Sequence, residues 1–204
     1  MLSDSPRGLP GYLSPFIVGS KKQEKKGRKS GGILAYVKPC LRKGITEVKH
    51  SNFSIWLKLD HNTLGLKRKI YLGFCYTTPY KKKDISELAF SELESEIQYF
   101  KSKGEILRCG DLNTRTGGML DFLPLDNIKQ TFTDCPLPPT YIPDSQICRK
   151  QVDTKCTLHG SLLIDICKNH HLRILNGRFL GDYYTFFNSN GKSTIDYMLS
   201  TIDL

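Results

Sequence analysis

Alternating apolar and polar residues mark the strands of this chain. Phe53, Ile55, Leu57 and Leu59 alternate with Ser54, Trp56 and Lys58, and Ile70, Leu72, Phe74 and Tyr76 alternate with Tyr71, Gly73 and Cys75. A period of two predicts two strands, with residues 60–69 as the loop between them. The apolar run from Ile33 to Lys38 predicts an earlier strand, stopped by Pro39. The period then changes. Ile85, Leu88, Ala89, Leu93, Ile97 and Phe100 recur at helical spacing behind Asp84-Ile85-Ser86-Glu87, a capping-box pattern with Asp84 as N-cap, and Gly104 ends the helix. Glu105 to Cys109 reads as a buried strand closed by Gly110. Leu162, Leu163, Ile166 and Cys167 give residues 160–170 one apolar side and predict a second helix. Residues 172–175, 185–187 and 194–199 predict three further strands, the last two joined across Asn188-Ser189-Asn190-Gly191. Residues 119–155, rich in Pro, Asp and Thr, predict an irregular surface excursion of a length that marks functional loops. Residues 1–30 read as an irregular lead-in and basic loop, leaving 31–204 as the domain. Strands interleaved with helices predict an α/β or α+β sandwich, not a bundle.

Composition narrows the function classes. Hydrophobic residues make up 39% of the 204 and charged residues 25%, which is globular and not disordered. Thirty Lys and Arg against twenty Asp and Glu leave a formal charge of +10, which favours polyanionic partners. The run Lys21-Lys22-Gln23-Glu24-Lys25-Lys26-Gly27-Arg28-Lys29 has no apolar period, so it predicts an exposed loop that could touch DNA or serve as a nuclear address. Seven cysteines, odd in number and set inside apolar patterns, predict a reducing compartment without disulfides. No stretch approaches the roughly 20 apolar residues of a membrane helix, and Met1 to Pro10 lacks the apolar core of a signal peptide. The expectation is an intracellular protein, not secreted, with the nucleus open to it.

The candidate chemistry centres on Arg108-Cys109-Gly110-Asp111-Leu112-Asn113-Thr114-Arg115, at the C-terminal end of a predicted strand. If the segment stays extended, Asp111 and Asn113 point the same way and set a proton acceptor beside a hydrogen-bond donor. That pair suits hydrolysis of a phosphate ester, where one group orients water and the other holds a phosphoryl oxygen. Alone, Gly-Asp-x-Asn is as readily a local turn.

Further segments extend the pattern: Leu9-Pro10-Gly11-Tyr12, Gly27-Arg28-Lys29-Ser30-Gly31-Gly32-Ile33, Gly73-Phe74-Cys75-Tyr76 before Pro79, Ile174-Leu175-Asn176-Gly177-Arg178, Tyr184-Thr185-Phe186-Phe187 and Ser193-Thr194-Ile195-Asp196-Tyr197. In this order and spacing the chain resembles the endonuclease/exonuclease/phosphatase superfamily, which includes apurinic endonucleases and pancreatic-type deoxyribonucleases. Within it the chain looks most like the endonuclease domains of non-LTR (LINE-type) retrotransposons and their craniofacial-development-protein relatives. The resemblance implies an α+β four-layer αββα sandwich, two packed sheets with helices outside, incomplete here at both termini. It implies that Asp111 deprotonates the attacking water and that Asn113 and Thr185 hold phosphate oxygens. Tyr76 would reach the scissile phosphate, Asp196 would orient a catalytic histidine, and Arg115 and Ser193 would contact substrate. The implied cofactor is Mg2+, with Mn2+ as substitute, and the implied partner is DNA, with RNA second and no membrane or evident protein partner.

Two departures shape the expectation. The metal-holding glutamate of the resemblance belongs upstream of Leu9, where Asp4 is the sole carboxylate, and its closing Ser-Asp-His segment belongs after Tyr197. Magnesium affinity is therefore expected to be reduced and activity weak. The competing expectation is a catalytically inactive fragment or a residual basic nucleic-acid-binding protein of marginal solubility. A phosphatase or lipid phosphodiesterase on the same core is a third reading. Cys148, Cys156 and His159, with Cys135 or His170, could be considered for zinc, but the spacing matches no familiar zinc pattern.

Overall fold

The computed structural model describes residues 8–19, 32–79, 83–123, 149–178 and 183–201. Its centre is a six-stranded mixed sheet in an α+β arrangement. The strands are β3 (Ile45–His50), β4 (Ser54–Leu59), β5 (Ile70–Tyr76), β6 (Glu105–Asp111), β7 (Leu172–Ile174) and β10 (Asp196–Thr201), in the order β3-β4-β5-β6-β10-β7. Only β5 and β6 run parallel, and a parallel pair needs a crossover. Helix α2 (Lys83–Lys101) supplies it, and α3 (Leu158–Asn169) joins it in the core. The short α1 (His61–Leu64) sits within the predicted loop, capped by Asp60, whose Oδ1 accepts the Thr63 N–H at 2.8 Å.

The two sheet faces are buried differently. On the helical face Trp56, Tyr71, Ile106, Tyr197 and Leu199 meet Phe90, Leu93, Ile97 and Phe100 of α2 and Leu163, Ile164 and Cys167 of α3. Trp56 stacks on Phe100 with ring centroids 4.3 Å apart, and Gly73 leaves room for it, since a Cβ there would lie 3.0 Å from the indole. The other face, at Ile45, Ile55 and Leu57, is covered by a two-stranded ribbon, β1 (Phe16–Val18) antiparallel to β2 (Ile33–Ala35). Beside the ribbon that face opens, and Met198 is 41% exposed.

One buried charge lies within the helical layer. Glu96 of α2, 1% exposed, accepts from Ser54 Oγ at 2.7 Å, Trp56 Nε1 at 2.8 Å and Arg108 Nη1 at 3.1 Å. Burial raises its pKa, but Arg108 and these donors outweigh burial and hold the carboxyl below its ordinary range.

Several expectations change. The strand expected from Ile33 to Lys38 ends at Ala35, and Pro39–Gly44 is a 3-10 helix. β1 and β3 are strands that the sequence pattern passed over. The helix after Pro79 already includes Lys83, so Asp84 lies within it and is not the expected N-cap, while residues 80–82 lie outside what is described. The hairpin at Asn188–Gly191 closes β8 (Phe186–Asn188) on β9 (Gly191–Ser193), while β10 begins separately at Asp196. Of the predicted surface excursion, residues 124–148 lie outside the described residues, but its flanks are interior: Asp121, Phe122 and Asp153 are all buried. Asp121 is held by the Ile174 N–H at 2.6 Å and by Arg178 at 3.0 Å. Among the described residues no helix is long and apolar enough to cross a membrane, and the five cysteines are free thiols.

Candidate active site

The site lies where the C-terminal ends of β5 and β6 meet the start of β10. β5 and β6 approach so closely there that a Cβ on Gly110 (φ 155°) would lie 1.9 Å from the Cys75 carbonyl oxygen, which explains the glycine. Register does the rest. Asp111 is the direct partner of Tyr76 on one side and of Asp196 on the other, so three of the expected residues stand abreast on adjacent strands. Alternation places them on the face away from the helices, because Cys75 and Tyr197, each one position along, belong to the helical core.

Asn113 reaches the site differently from the expectation. The strand stops at Asp111, and Asn113 turns into left-handed backbone (φ 47°), its N–H donating to Asp111 Oδ1 at 2.9 Å. The extended Asp-x-Asn pair is thus replaced by an Asx turn, stabilised because the asparagine side chain donates to the Thr77 carbonyl at 2.7 Å. Thr77 locks the turn further: its N–H donates to Asp111 O at 2.9 Å and its hydroxyl to Leu112 O. Thr185 joins from beside β8, where its Oγ1 accepts the Ile195 N–H at 3.1 Å and the Asp196 N–H at 3.2 Å.

Electrostatics follow from this packing. Burial, with Asp196 adding to it, pushes Asp111 up to about 6 against the opposing Asn113 hydrogen bonds. Burial and then Asp111 raise Tyr76, so its phenol keeps its proton at neutral pH. Cys109 is no nucleophile, since burial and then Cys75 lift its thiol to about 11.

Arg115 and Ser193, expected at the substrate, line a groove of about 500 Å³ beside the site, together with Lys155, Tyr184, Phe186 and Lys192. The Arg115 guanidinium is occupied: Nε donates to Asp153 Oδ2 at 2.8 Å and Nη2 donates to Oδ1. Lys155 and Lys192 are exposed on the groove, and Lys192 Nζ lies 5.7 Å from the Tyr184 ring centroid. Ser193 contributes its carbonyl, which accepts the Thr185 N–H at 3.0 Å.

Asp196 stands beside Asp111 as its partner on the neighbouring strand. The five histidines lie elsewhere: His50 in β3, His61 in α1, His159 in α3, and His170 and His171 after it. The zinc candidates diverge as well. Cys156 Sγ contacts Met119 Sδ at 3.2 Å, His159 stacks on Phe90 and His170 lies 3.1 Å from Glu94, while Cys135 and Cys148 fall outside the described residues. Sequence reasoning missed Thr77 and Asp153. Thr77 could have been suspected from its place next to Tyr76, whereas nothing local singles out Asp153.

Together these features define a carboxylate-centred site at one end of a mixed sheet, flanked by a basic and aromatic groove. A scan of the sequence against protein families finds no match, and neither does a comparison with curated proteins. Among solved structures the chain is similar to ANGEL2, a 2′,3′-cyclic phosphatase in complex with adenosine-2′,3′-vanadate, at 16% identity and a TM-score of 0.45. The likeness covers 94% of this chain and 63% of that one, so this chain spans less than two thirds of its length. Likeness at that level fixes neither fold nor activity.

Proposed function

We propose that this chain is a phosphodiesterase of the endonuclease/exonuclease/phosphatase superfamily that nicks DNA in the manner of retroelement endonucleases, with RNA as a secondary substrate. The observation that carries the reading is the row Tyr76–Asp111–Asp196, with an Asp111 carboxyl lifted to about 6. A base titrating near neutral pH accepts a proton effectively. In this reading Asp111 takes the proton of the attacking water as the new O–P bond forms. The bond to the leaving oxygen breaks, and that oxygen takes a proton from solvent. Tyr76 donates its O–H to a phosphoryl oxygen, and Thr185, whose Oγ1 already accepts two N–H groups, still has its own hydrogen to donate. Lys155 and Lys192 would follow the backbone along the groove, with Tyr184 and Phe186 meeting bases. The six-stranded sheet would be one half of the four-layer sandwich. An intracellular, nuclear setting completes the reading.

Magnesium enters on narrower terms. Among the described residues no group of three or more His, Cys, Asp or Glu side chains could hold a metal. The described residues therefore form no such three-ligand cage. A divalent ion would arrive on the substrate phosphate, as magnesium commonly does.

The specific observation favouring a second reading, DNA binding without hydrolysis, is the groove beside the site, where Lys155 and Lys192 are exposed next to Tyr184 and Phe186. A supercoiled-plasmid nicking assay with magnesium, then with manganese, separates the two. Nicking abolished by Asp111→Ala and by EDTA supports hydrolysis. Binding that weakens steeply with salt and yields no nicked circles refutes hydrolysis and supports the second reading.

A further inference from the structure

Asp153 lies outside every segment that carries the resemblance, in a stretch expected to be irregular surface, yet it is 1% exposed. A carboxylate that deep must be paired, and Asp153 is paired across separate parts of the chain. Arg115 grips both of its oxygens, the Thr194 N–H donates to Oδ2 at 2.9 Å, and the Lys155 N–H donates to Oδ1 at 3.2 Å. Burial pulls its pKa up, but the bonds from Arg115, Thr194 and Lys155 outweigh it and keep the group ionised at neutral pH.

The placement of these partners gives the cluster its meaning. Arg115 stands two residues past Asn113, and Thr194 stands two residues before Asp196. Arg115 is fixed on its backbone side as well, its N–H donating to Thr157 Oγ1 at 3.2 Å and its carbonyl accepting the Thr157 N–H at 2.9 Å. The two approaches to the site also meet at the Leu112 N–H, which donates to Ile195 O at 2.9 Å, and at the Tyr197 hydroxyl, which accepts the Thr116 N–H at 3.2 Å and lies 3.3 Å from Thr114 O and 2.9 Å from Thr194 O. To these neutral links the buried Asp153 adds a charged one, from Arg115 on the loop that carries Asn113 to Thr194 ahead of the strand that carries Asp196.

We propose that Asp153 is a positioning residue: through Arg115 and Thr194 it sets the spacing between the Asn113 turn and Asp196, without itself touching substrate. This rests on the reading of the Asp111–Asp196 end as a hydrolytic site. It assigns Arg115 the role of a strut and leaves phosphate contact in the groove to Lys155 and Lys192.

The test uses the full chain and two readouts, one of which needs no activity. Amide hydrogen exchange is measured for wild type, Asp153→Asn, Arg115→Gln and the double variant. Expected is a rise of about tenfold or more at the Asn113 and Asp196 amides in both single variants, no further rise in the double, and unchanged exchange at Leu72 in β5. Unchanged exchange at Asn113 and Asp196, or faster exchange throughout the sheet, overturns the proposal. Should Asp153→Asn fail to fold, Arg115→Gln, which breaks the same strut from a more exposed position, decides on the same criteria. In the nicking assay each single variant should lower kcat by about 10- to 100-fold with KM within about threefold. A loss confined to KM overturns the proposal by making Arg115 and Asp153 substrate contacts. If wild type does not nick, the hydrolytic reading fails, and the exchange pattern still decides whether the strut exists.

Discussion

Asp111→Asn is expected to make the protein more stable while removing the proposed nicking, and the size of the gain follows from the structure. Folding lifts the Asp111 carboxyl from its ordinary range to about 6, chiefly by burial and secondarily by Asp196 across the sheet. Between the ordinary value and about 6 the native state binds more protons than the unfolded chain, so wild-type stability falls as pH rises through that window. The full cost of ionisation is at most about 3 kcal/mol, and solvent screening at a half-buried site reduces it to about 1 kcal/mol. Asparagine keeps an oxygen for the Asn113 N–H and carries no charge. The variant should therefore melt about 2–4 °C above wild type at pH 7–8, with the gap closing as pH falls to the ordinary carboxylate range. Thermal unfolding followed by circular dichroism at several pH values measures this directly. A variant that melts below wild type at pH 8, or a gap that ignores pH, would show that burial and Asp196 do not strain Asp111.

Three further expectations test other parts of the structure. Glu96→Gln should cost about 3 kcal/mol in denaturant unfolding because it leaves Arg108 buried without its counter-charge; a loss under about 1 kcal/mol would mean that solvent reaches the pair. Gly110→Ala should abolish soluble folded protein, since its Cβ has nowhere to go beside Cys75 O, and a normal circular-dichroism melt would contradict that contact. Tyr76→Phe should lower the nicking rate about tenfold with Tm changed by less than about 2 °C; an unchanged rate would remove the hydroxyl from the chemistry.

Which parts of this were legible in the sequence has a physical explanation. β4, β5, β6 and both long helices were legible because a buried face imposes a period on neighbouring residues. β3 was not, because an edge strand with Thr46, Glu47, Lys49 and His50 carries little apolar signal, and β1 spans only Phe16–Val18. Asp111, Asn113, Thr185, Asp196 and Tyr76 were named from motif order, and the structure gathers them at one end of the sheet. Their mutual geometry could not be read, because it depends on β10 pairing with β6 and on the left-handed turn at Asn113. Asp153 was hidden for the same reason: its partners Arg115 and Thr194 are far away in sequence, and a carboxylate inside a Pro- and Thr-rich stretch looks like surface until those partners are seen.

β10 comes last among the described strands in sequence, yet it lies between β6 and β7 in the sheet. The core around α2 and Trp56 lacks Tyr197 and Leu199, and the row at Asp111 lacks its third member, until residues 196–201 have emerged and inserted. A nascent chain stalled before that point would hold Asp111 with no Asp196 opposite it, so the row is complete only once residues 196–201 have joined the sheet.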